Sequence, residues 1–189
     1  LSSTKSSIIP SFKKKNAIYA SRISKEKGIL TLVKAFKKTD IQIDVLGDGP
    51  LLKKIKKNNI NNKIKFHGSL SRNETSKFIN RSKFIVIPSE CYEGFPMTIL
   101  EAFREGTLVL ASNIGSIKSI INDRYNGILF EYGNKLDLIN KVKWILKNPD
   151  VCDQIVINAK NDFNDKYSSK VNYQQLINIY EDAISDLKI

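Results

Sequence analysis

The most informative segment of the sequence is Phe84-Ile85-Val86-Ile87-Pro88-Ser89-Glu90-Cys91-Tyr92-Glu93-Gly94-Phe95-Pro96-Met97-Thr98-Ile99-Leu100-Glu101-Ala102-Phe103-Arg104-Glu105-Gly106-Thr107-Leu108-Val109-Leu110-Ala111-Ser112. Its pattern predicts a strand, a turn, a helix, a second turn and a second strand. The apolar runs 84–87 and 108–111 are typical of strands buried on both faces of a parallel sheet. Gly94 permits a sharp exit from the first strand, Pro96 suits the first position of the helix, and Gly106 ends it.

The turn before this helix is a predicted anion site. A helix start leaves backbone N–H groups without partners and carries a partial positive charge. Residues 95, 97 and 98 each offer an N–H there, whereas Pro96 has none. Glu93 precedes the helix and Glu101 lies inside it. The two carboxylates could hold two hydroxyl-bearing ends of a ligand, with a phosphate between them.

These residues resemble a known family. The E-x7-E motif of Glu93 and Glu101, preceded by Pro88-Ser89 and followed by Gly106-Thr107 and Ala111-Ser112, is similar to that of the retaining glycosyltransferases of family 4, of the GT-B type. The alternative interpretation is an ordinary buried strand, turn and helix with two solvated glutamates. The resemblance covers residues 17–133 by motif and the remainder by the order of elements.

The rest of the chain repeats the same alternation. Strands are predicted to begin near residues 17, 41, 63, 84, 108 and 127, with helical patterns between them. This rhythm indicates an α/β fold with a doubly wound parallel sheet of about six strands, which the resemblance makes the Rossmann-like half of a GT-B fold. Extra C-terminal helices are expected at 134–147, at about 150–162 and from about residue 169. Apolar residues at helical spacing on the last helix predict packing on a protein surface.

Domain organisation is predicted as follows. Residues 1–15 are rich in Ser and Lys and are expected to form a linker, whereas 16–189 form one nucleotide-sugar-binding domain. The resemblance implies the C-terminal half of a two-domain enzyme whose N-terminal acceptor domain is absent. The first residue, Leu1 rather than an initiator methionine, suits that expectation. The last helix would then pack partly against the absent half.

The resemblance assigns roles to individual residues. Ser21-Arg22-Ile23-Ser24-Lys25-Glu26-Lys27-Gly28 is similar to the family's G-R-x4-K-G segment, although Ser21 replaces the usual glycine. Arg22 and Lys27 would bind the donor's diphosphate, Glu93 the transferred sugar and Glu101 the ribose. Leu70 would contact the nucleotide base. The implied catalytic residues are Glu93, Arg22 and Lys27, and the implied donor-binding residues are Gly94, Phe95, Pro96, Met97, Thr98, Glu101 and Leu70.

Other features limit the chemistry. The resemblance implies a UDP-, GDP- or ADP-sugar donor, no cofactor and no metal, and a saccharide or lipid-linked acceptor. Ser116, Lys118 and Ser119 replace the second Gly, the Pro and the Glu of the family's G-G-x-P-E segment. His67 is the only histidine, so a multi-histidine metal site is excluded within these 189 residues. Cys91 and Cys152 are expected to be reduced, which favours a cytoplasmic protein. Peripheral contact with the inner face of the cell membrane is a separate expectation, which the positive charge of the chain suggests.

The charge distribution leaves two alternatives open. The net charge is +12, and residues 1–70 hold 16 Lys and Arg against 4 Asp and Glu. A lysine-rich proteome explains this surplus, but so does a basic module that binds nucleic acid or another anionic surface. A non-catalytic nucleotide-binding domain is a further alternative. The family resemblance favours the glycosyltransferase, for which no nucleic-acid partner is expected.

Overall fold

The computed structural model describes residues 14–58, 62–92 and 94–186. In this part of the chain six strands alternate with helices in the order β1 (Ala17–Ala20), α1 (Ile29–Phe36), β2 (Ile43–Leu46), α2 (Leu52–Lys57), β3 (Ile64–Gly68), α3 (Arg72–Arg81), β4 (Phe84–Ile87), α4 (Met97–Glu105), β5 (Leu108–Ser112), α5 (Ile117–Ile120), β6 (Ile128–Phe130), α6 (Lys135–Lys147), α7 (Pro149–Asp162) and α8 (Ser169–Asp186). A π-helical turn at Phe163–Tyr167 joins α7 to α8. The six strands begin within two residues of their predicted positions.

The six strands form one parallel sheet in the order β3-β2-β1-β4-β5-β6. This is the doubly wound order, so the predicted α/β fold is confirmed. The chain moves outward from β1 to β3 and then returns to the centre, where β4 pairs with β1 in the register Ala17↔Phe84. The carboxyl ends of β1 and β4 therefore flank the point at which the strand order reverses. Ligands of such folds bind at this point.

Both faces of the sheet are buried. Alternate residues of the central strands, such as Tyr19 and Val86, enter the core that includes α1 and α6. Their neighbours, such as Ile18 and Ile85, enter the core that includes α4 and α5. All four residues are at most 1% exposed. Burial on both sides explains why these strands appear in the sequence as unbroken apolar runs.

The ends of α3 and α4 follow local chemistry. Ser71 and Glu74 form a capping box at the start of α3. α4 ends at Gly106, which has the left-handed φ of 65° predicted for a C-cap glycine. At the other end of α4 the prediction for Pro96 was wrong by one residue. Pro96 is the N-cap, with ψ 88°, and Met97 is the first helical residue.

Gly94 lies between β4 and α4, and a Cβ added there would meet nothing within 4 Å. The neighbouring Glu93 lies outside the described residues, so the sharp exit expected at Gly94 stays a prediction.

The structure describes only residues 14 and 15 of the predicted linker 1–15. Lys14 is buried, and its Nζ donates hydrogen bonds to the Gly106 carbonyl at 2.7 Å and to Thr107 Oγ1 at 3.3 Å. Burial lowers the pKa of Lys14 to about 8. The chain is thus already attached to the domain, at the C-terminal end of α4, before β1 begins.

The last helix, α8, leaves a row of large apolar side chains exposed, namely Tyr173, Leu176, Ile179, Tyr180 and Ile184. α8 itself contacts the π-helical turn. The packing of α8 on a further protein surface stays a prediction. Across the described ranges, no helix combines the length and the apolar character that crossing a bilayer requires.

Candidate functional site

A cleft lies where the strand order reverses. The residues that line it come from the end of β1, the following loop, the end of β4 and the start of α4, and they are Tyr19, Ala20, Ser21, Lys27, Val86, Ile87, Pro88, Ser89, Phe95, Pro96, Met97 and Thr98. Five predicted site residues are therefore brought together in one cleft. The position agrees with the general rule for ligands of doubly wound sheets.

The start of α4 forms one wall of this cleft. Pro96 provides no side-chain cap, and the described first turn of α4 contains no acidic residue. Phe95 and Met97 are about half exposed, although both side chains are large and apolar. The first N–H groups of α4 and its positive dipole end are therefore not neutralised by a neighbouring side chain of the helix. Such a helix start is suited to an anion.

The loop from β1 to α1 carries the two predicted basic residues. Lys27 is half-buried and lines the cleft, whereas Arg22 is exposed and lies outside its lining. The Tyr19 hydroxyl donates a hydrogen bond of 2.7 Å to the Arg22 carbonyl. The backbone of Arg22 is thus fixed from the core, while its long side chain remains in solvent.

The turn Gly47-Asp48-Gly49, which follows β2, packs against this loop. The Ile23 N–H donates to the Asp48 carbonyl at 2.9 Å. A Cβ added at Gly47 would lie 2.0 Å from the Ser21 carbonyl oxygen, and one at Gly49 would lie 2.5 Å from the Ile23 carbonyl oxygen. Both glycines are needed because two backbones touch, so this turn has a structural role.

Gly28 fixes the distance between the loop and β4. Its φ is +68°, and a Cβ there would lie 1.6 Å from the Pro88 carbonyl oxygen. Two hydrogen bonds reinforce the contact, from the Glu90 N–H to the Glu26 carbonyl at 2.8 Å and from Thr31 Oγ1 to Glu90 Oε1 at 2.5 Å. Lys27, next to Gly28, is thereby held against the end of β4.

Glu101 lies on α4, about one turn beyond the cleft, with its side chain 23% exposed. Arg72, at the start of α3, places its Nε 3.7 Å from Glu101 Oε1. Arg72 was not predictable as a neighbour of Glu101, because nothing in the local sequence pattern indicates that α3 starts beside the middle of α4. Leu70, just before α3, is partly buried against the core that includes α4.

The structure separates the predicted residues into three groups. Lys27, Phe95, Pro96, Met97 and Thr98 line the cleft, whereas Arg22, Leu70, Gly94 and Glu101 are outside its lining. Glu93 lies outside the described residues.

The described residues also limit other chemistry. Within 14–58, 62–92 and 94–186 no group of three or more His, Cys, Asp or Glu side chains is arranged to hold a metal ion. Cys152 is buried, and burial raises the pKa of its thiol to about 12. This thiol is therefore protonated at neutral pH, as expected for an unreactive cysteine.

Comparison with known proteins identifies the family. The chain belongs to the Glycosyl transferases group 1 family, whose sequence profile matches residues 4–162. The uncharacterized glycosyltransferase MJ1178 of Methanocaldococcus jannaschii is 32% identical over 161 residues, which are 83% of this chain and 45% of the relative. The chain spans about half the length of the curated relatives it matches.

Solved structures agree with this fold. The C-terminal domain of the group 1 family protein LpcC from Francisella tularensis is 26% identical, with a TM-score of 0.71, over 82% of this chain and 88% of that one. Anabaena Alr3699/HepE, solved in complex with UDP-glucose, is 20% identical, with a TM-score of 0.78, over 90% of this chain and 50% of that one. The sheet and helices are thus those of one half of a GT-B glycosyltransferase.

Proposed function

We propose that this chain is the donor-binding domain of a retaining, metal-independent glycosyltransferase of family 4. It binds a nucleotide-diphospho-sugar, and the sugar is transferred to a saccharide or lipid-linked acceptor in cell-surface polysaccharide synthesis. The observation that carries the proposal is the cleft between β1 and β4, where Lys27 faces a helix start without a side-chain cap. Two comparisons support it, the family match and the fold shared with a protein solved with UDP-glucose.

The diphosphate lies against the start of α4 in this proposal. The N–H groups of Met97 and Thr98 donate to its oxygens, and Lys27 supplies a positive charge from the opposite wall. Arg22 reaches the diphosphate from the rim, since its backbone is fixed and its side chain is exposed. Arg can form two parallel bonds to phosphate oxygens, whereas Lys acts as a point charge. The open space around Gly94 leaves room for the ligand.

The nucleoside lies along α4. Glu101 accepts hydrogen bonds from the ribose hydroxyls, because it is partly exposed and about one helical turn from the phosphate position. Leu70 contacts the base from the loop before α3. Glu93 holds the transferred sugar, together with backbone N–H groups of the same loop, as the family resemblance implies.

The chemistry follows from charge. When the glycosidic bond to the donor breaks, the departing diphosphate gains negative charge. Arg22, Lys27 and the α4 N–H groups therefore stabilise the transition state more than the ground state. In this proposal, these groups stabilise the negative charge of the diphosphate, which a metal ion would otherwise neutralise. The leaving phosphate itself assists attack on the same face of the sugar, which retains the anomeric configuration.

The acceptor site lies on a second domain in this proposal. The matched relatives are about twice as long as the chain, so they have room for such a domain. The exposed apolar row on α8 offers a surface for it to pack on. Such a domain would face the donor cleft, at the inner face of the cell membrane in the cytoplasm, where it meets its acceptor.

A second candidate is a basic module for nucleic acid, motivated by the surplus of 12 positive charges in residues 1–70. Calorimetric titration of UDP, GDP and ADP, and then of duplex DNA, at two salt concentrations separates the two. The proposed function predicts saturable binding of one nucleotide that survives added salt. Binding of DNA alone, falling steeply with salt, would favour the basic module. Nucleotide binding without transfer in the longer protein would favour a non-catalytic domain.

A further inference from the structure

A second concavity opens at the opposite end of the sheet. Its lining comes from the start of β1 and β2, from β3 and from the end of α3, and consists of Lys15, Asn16, Gln42, Asp44, Lys65, His67, Arg81 and Ser82. It shares no lining residue with the cleft between β1 and β4, which lies at the carboxyl ends of the strands. Nothing in the proposed donor chemistry uses it.

A buried carboxylate forms its floor. Asp44 is 6% exposed within β2, whose other residues are all apolar. Its Oδ1 lies 2.7 Å from His67 Nε2, and its Oδ2 accepts a hydrogen bond of 2.9 Å from Asn16 Nδ2. Burial of a carboxylate is costly unless both oxygens have partners, and here both do. Asp44 therefore holds the imidazole by Nε2 and leaves Nδ1 as the ring's second polar atom.

The pairing of β3 with β2 explains why His67 lies beside Asp44. Lys65 is the register partner of Asp44, and His67 is two residues further along β3, where strand alternation gives the same face of the sheet. The register shifts between Val45 and Leu46, so that Leu46 pairs with Gly68. The Phe78 ring then contacts both His67, at 4.8 Å between ring centroids, and the Arg81 guanidinium, at 3.7 Å from the ring centroid. Phe78 thus orients two of the groups in the concavity.

The charges in the concavity favour an anion. Lys15, Lys65 and Arg81 are cationic, and the single carboxylate is already engaged by His67 and Asn16. Lys65 is the register partner of Asp44, so it lies beside that floor. An Arg fork with flexible ammonium groups is the donor set that phosphate oxygens prefer.

We propose that this concavity, named the basic pocket, binds a small phosphate-bearing anion, with Arg81 and Lys65 as its ligands and His67 beside them. The site is independent of the proposed donor site, since the two lie at opposite ends of the strands. The alternative role for the Asp44–His67 pair is purely structural, as a brace for the edge strand β3. The two roles differ in one observable, namely whether the environment of His67 changes when phosphate is added.

The single histidine makes a direct test available. Because His67 is the only histidine, its imidazole proton resonances in an NMR spectrum are a specific reporter. Inorganic phosphate is titrated into the 189-residue chain at fixed pH, with sodium chloride at matched ionic strength as the reference. Glucose 6-phosphate forms a second arm, which distinguishes free phosphate from a phosphorylated metabolite.

We expect a saturable shift of the His67 resonance with at least one of the two phosphates and only a small linear drift with chloride. Lys65→Gln should weaken the apparent affinity by at least fivefold and Arg81→Gln by at least tenfold. Lys56→Gln is the matched control, because Lys56 lies over Phe66 outside the pocket and should leave the affinity unchanged. Lys65 is exposed, so its variant tests the site even if Arg81→Gln does not fold.

Two results would overturn the proposal. The first is a His67 resonance that responds to phosphate no more than to chloride. The second is a saturable shift that Lys56→Gln weakens as much as Lys65→Gln, which would indicate general attraction to the basic half of the chain. A Glu101→Ala variant that keeps the phosphate response, whatever its affinity for UDP, shows that this outcome does not depend on the donor site.

Discussion

Arg72 and Glu101 form an ion pair across two helices, with Arg72 Nε 3.7 Å from Glu101 Oε1. The Arg72 side chain is 75% exposed and that of Glu101 is 23% exposed. Arg72 also sits in the first turn of α3, where a positive charge meets the positive end of the helix dipole. The pair therefore holds the Glu101 carboxylate near the surface, about one helical turn beyond the cleft, without fixing it in the core.

For this reason Arg72→Ala should change the free energy of unfolding by less than about 1 kcal/mol, the usual value of an exposed ion pair. Urea denaturation measures this directly. The same variant should bind UDP with an affinity close to that of the wild type, since Glu101 remains available. A loss of more than about 2 kcal/mol in stability would show that the pair holds α3 against α4.

The two basic residues of the β1–α1 loop should act on phosphate. The variants Arg22→Ala and Lys27→Ala should each weaken the binding of UDP more than the binding of uridine, because the charges that they remove face the diphosphate in the proposed complex. Lys25→Ala is the matched control, since Lys25 is an exposed lysine of the same loop that does not line the cleft. An equal loss of affinity for UDP and for uridine, measured by calorimetry, would show that neither residue contacts the diphosphate.

Gly28 should be intolerant of any side chain. The Cβ of Gly28→Ala would lie 1.6 Å from the Pro88 carbonyl oxygen, so the backbone of one segment must move. Gly133→Ala is the control, because Gly133 has nearly the same φ, +71°, but nothing within 4 Å. Gly133→Ala should lower the free energy of unfolding by about 1–2 kcal/mol, which is the cost of the left-handed conformation for a residue with a side chain. Gly28→Ala should lower the free energy of unfolding by clearly more than Gly133→Ala does, or should prevent folding. Equal losses in the two variants would contradict the close contact between Gly28 and Pro88.

The stability of the chain should depend on the charge of Lys14. Its folded pKa is about 8 and its ordinary value is 10.5, so the unfolded chain binds the proton more tightly between these values. The Lys14 contribution to the free energy of unfolding therefore rises with pH from about 8 to about 10.5, by at most about 3 kcal/mol. It is lost as the pH falls through 8.

Lys14→Met removes this titration while filling similar volume, so the difference in unfolding free energy between variant and wild type isolates it. Urea denaturation at pH 7.5 and pH 9.5 is sufficient. The free energy of unfolding of the wild type should increase relative to that of Lys14→Met at the higher pH. A difference that does not change with pH would mean that Lys14 titrates normally and is solvated.

The 189-residue chain should bind the donor without transferring its sugar. The described residues offer one cleft at the reversal of the strand order, and the proposed acceptor site lies on a second domain. A transfer assay with radiolabelled UDP-glucose should give no product above the hydrolysis background. Efficient transfer by the chain alone would contradict the division into two domains.

The fold was predictable from the sequence because its signals are local and repeated. Each central strand is buried on both faces, so 84–87 and 108–111 appear as unbroken apolar runs. The capping box at Ser71 and the left-handed Gly106 were equally visible, since each depends on residues within one helical turn. Pro96 was assigned one position too far into the helix, because α4 begins at Met97.

Contacts between distant segments were not predictable in this way. Lys14 appeared as one lysine in a linker, and only the fold shows that it reaches the carbonyl of Gly106. Arg72 meets Glu101 for the same reason, since the packing of α3 on α4 decides it. The sequence identified Lys27 by its resemblance to a family motif, but the contact of Gly28 with Pro88 is what holds it at the cleft.

In the proposed function the cleft and α4 bind a nucleoside diphosphate, with Glu101 on the ribose, and one calorimetric comparison tests this arrangement. UDP is titrated into the wild type, Glu101→Ala and the control Asp40→Ala, whose carboxylate lies before β2 at the other end of the sheet. GDP and ADP are titrated in the same way. For the nucleotide that binds tightest, Glu101→Ala should lose about 1–3 kcal/mol, roughly 5- to 150-fold in affinity, while Asp40→Ala binds as the wild type does. Unchanged affinity in a folded Glu101→Ala variant, or no binding of any of the three nucleotides, would contradict the account.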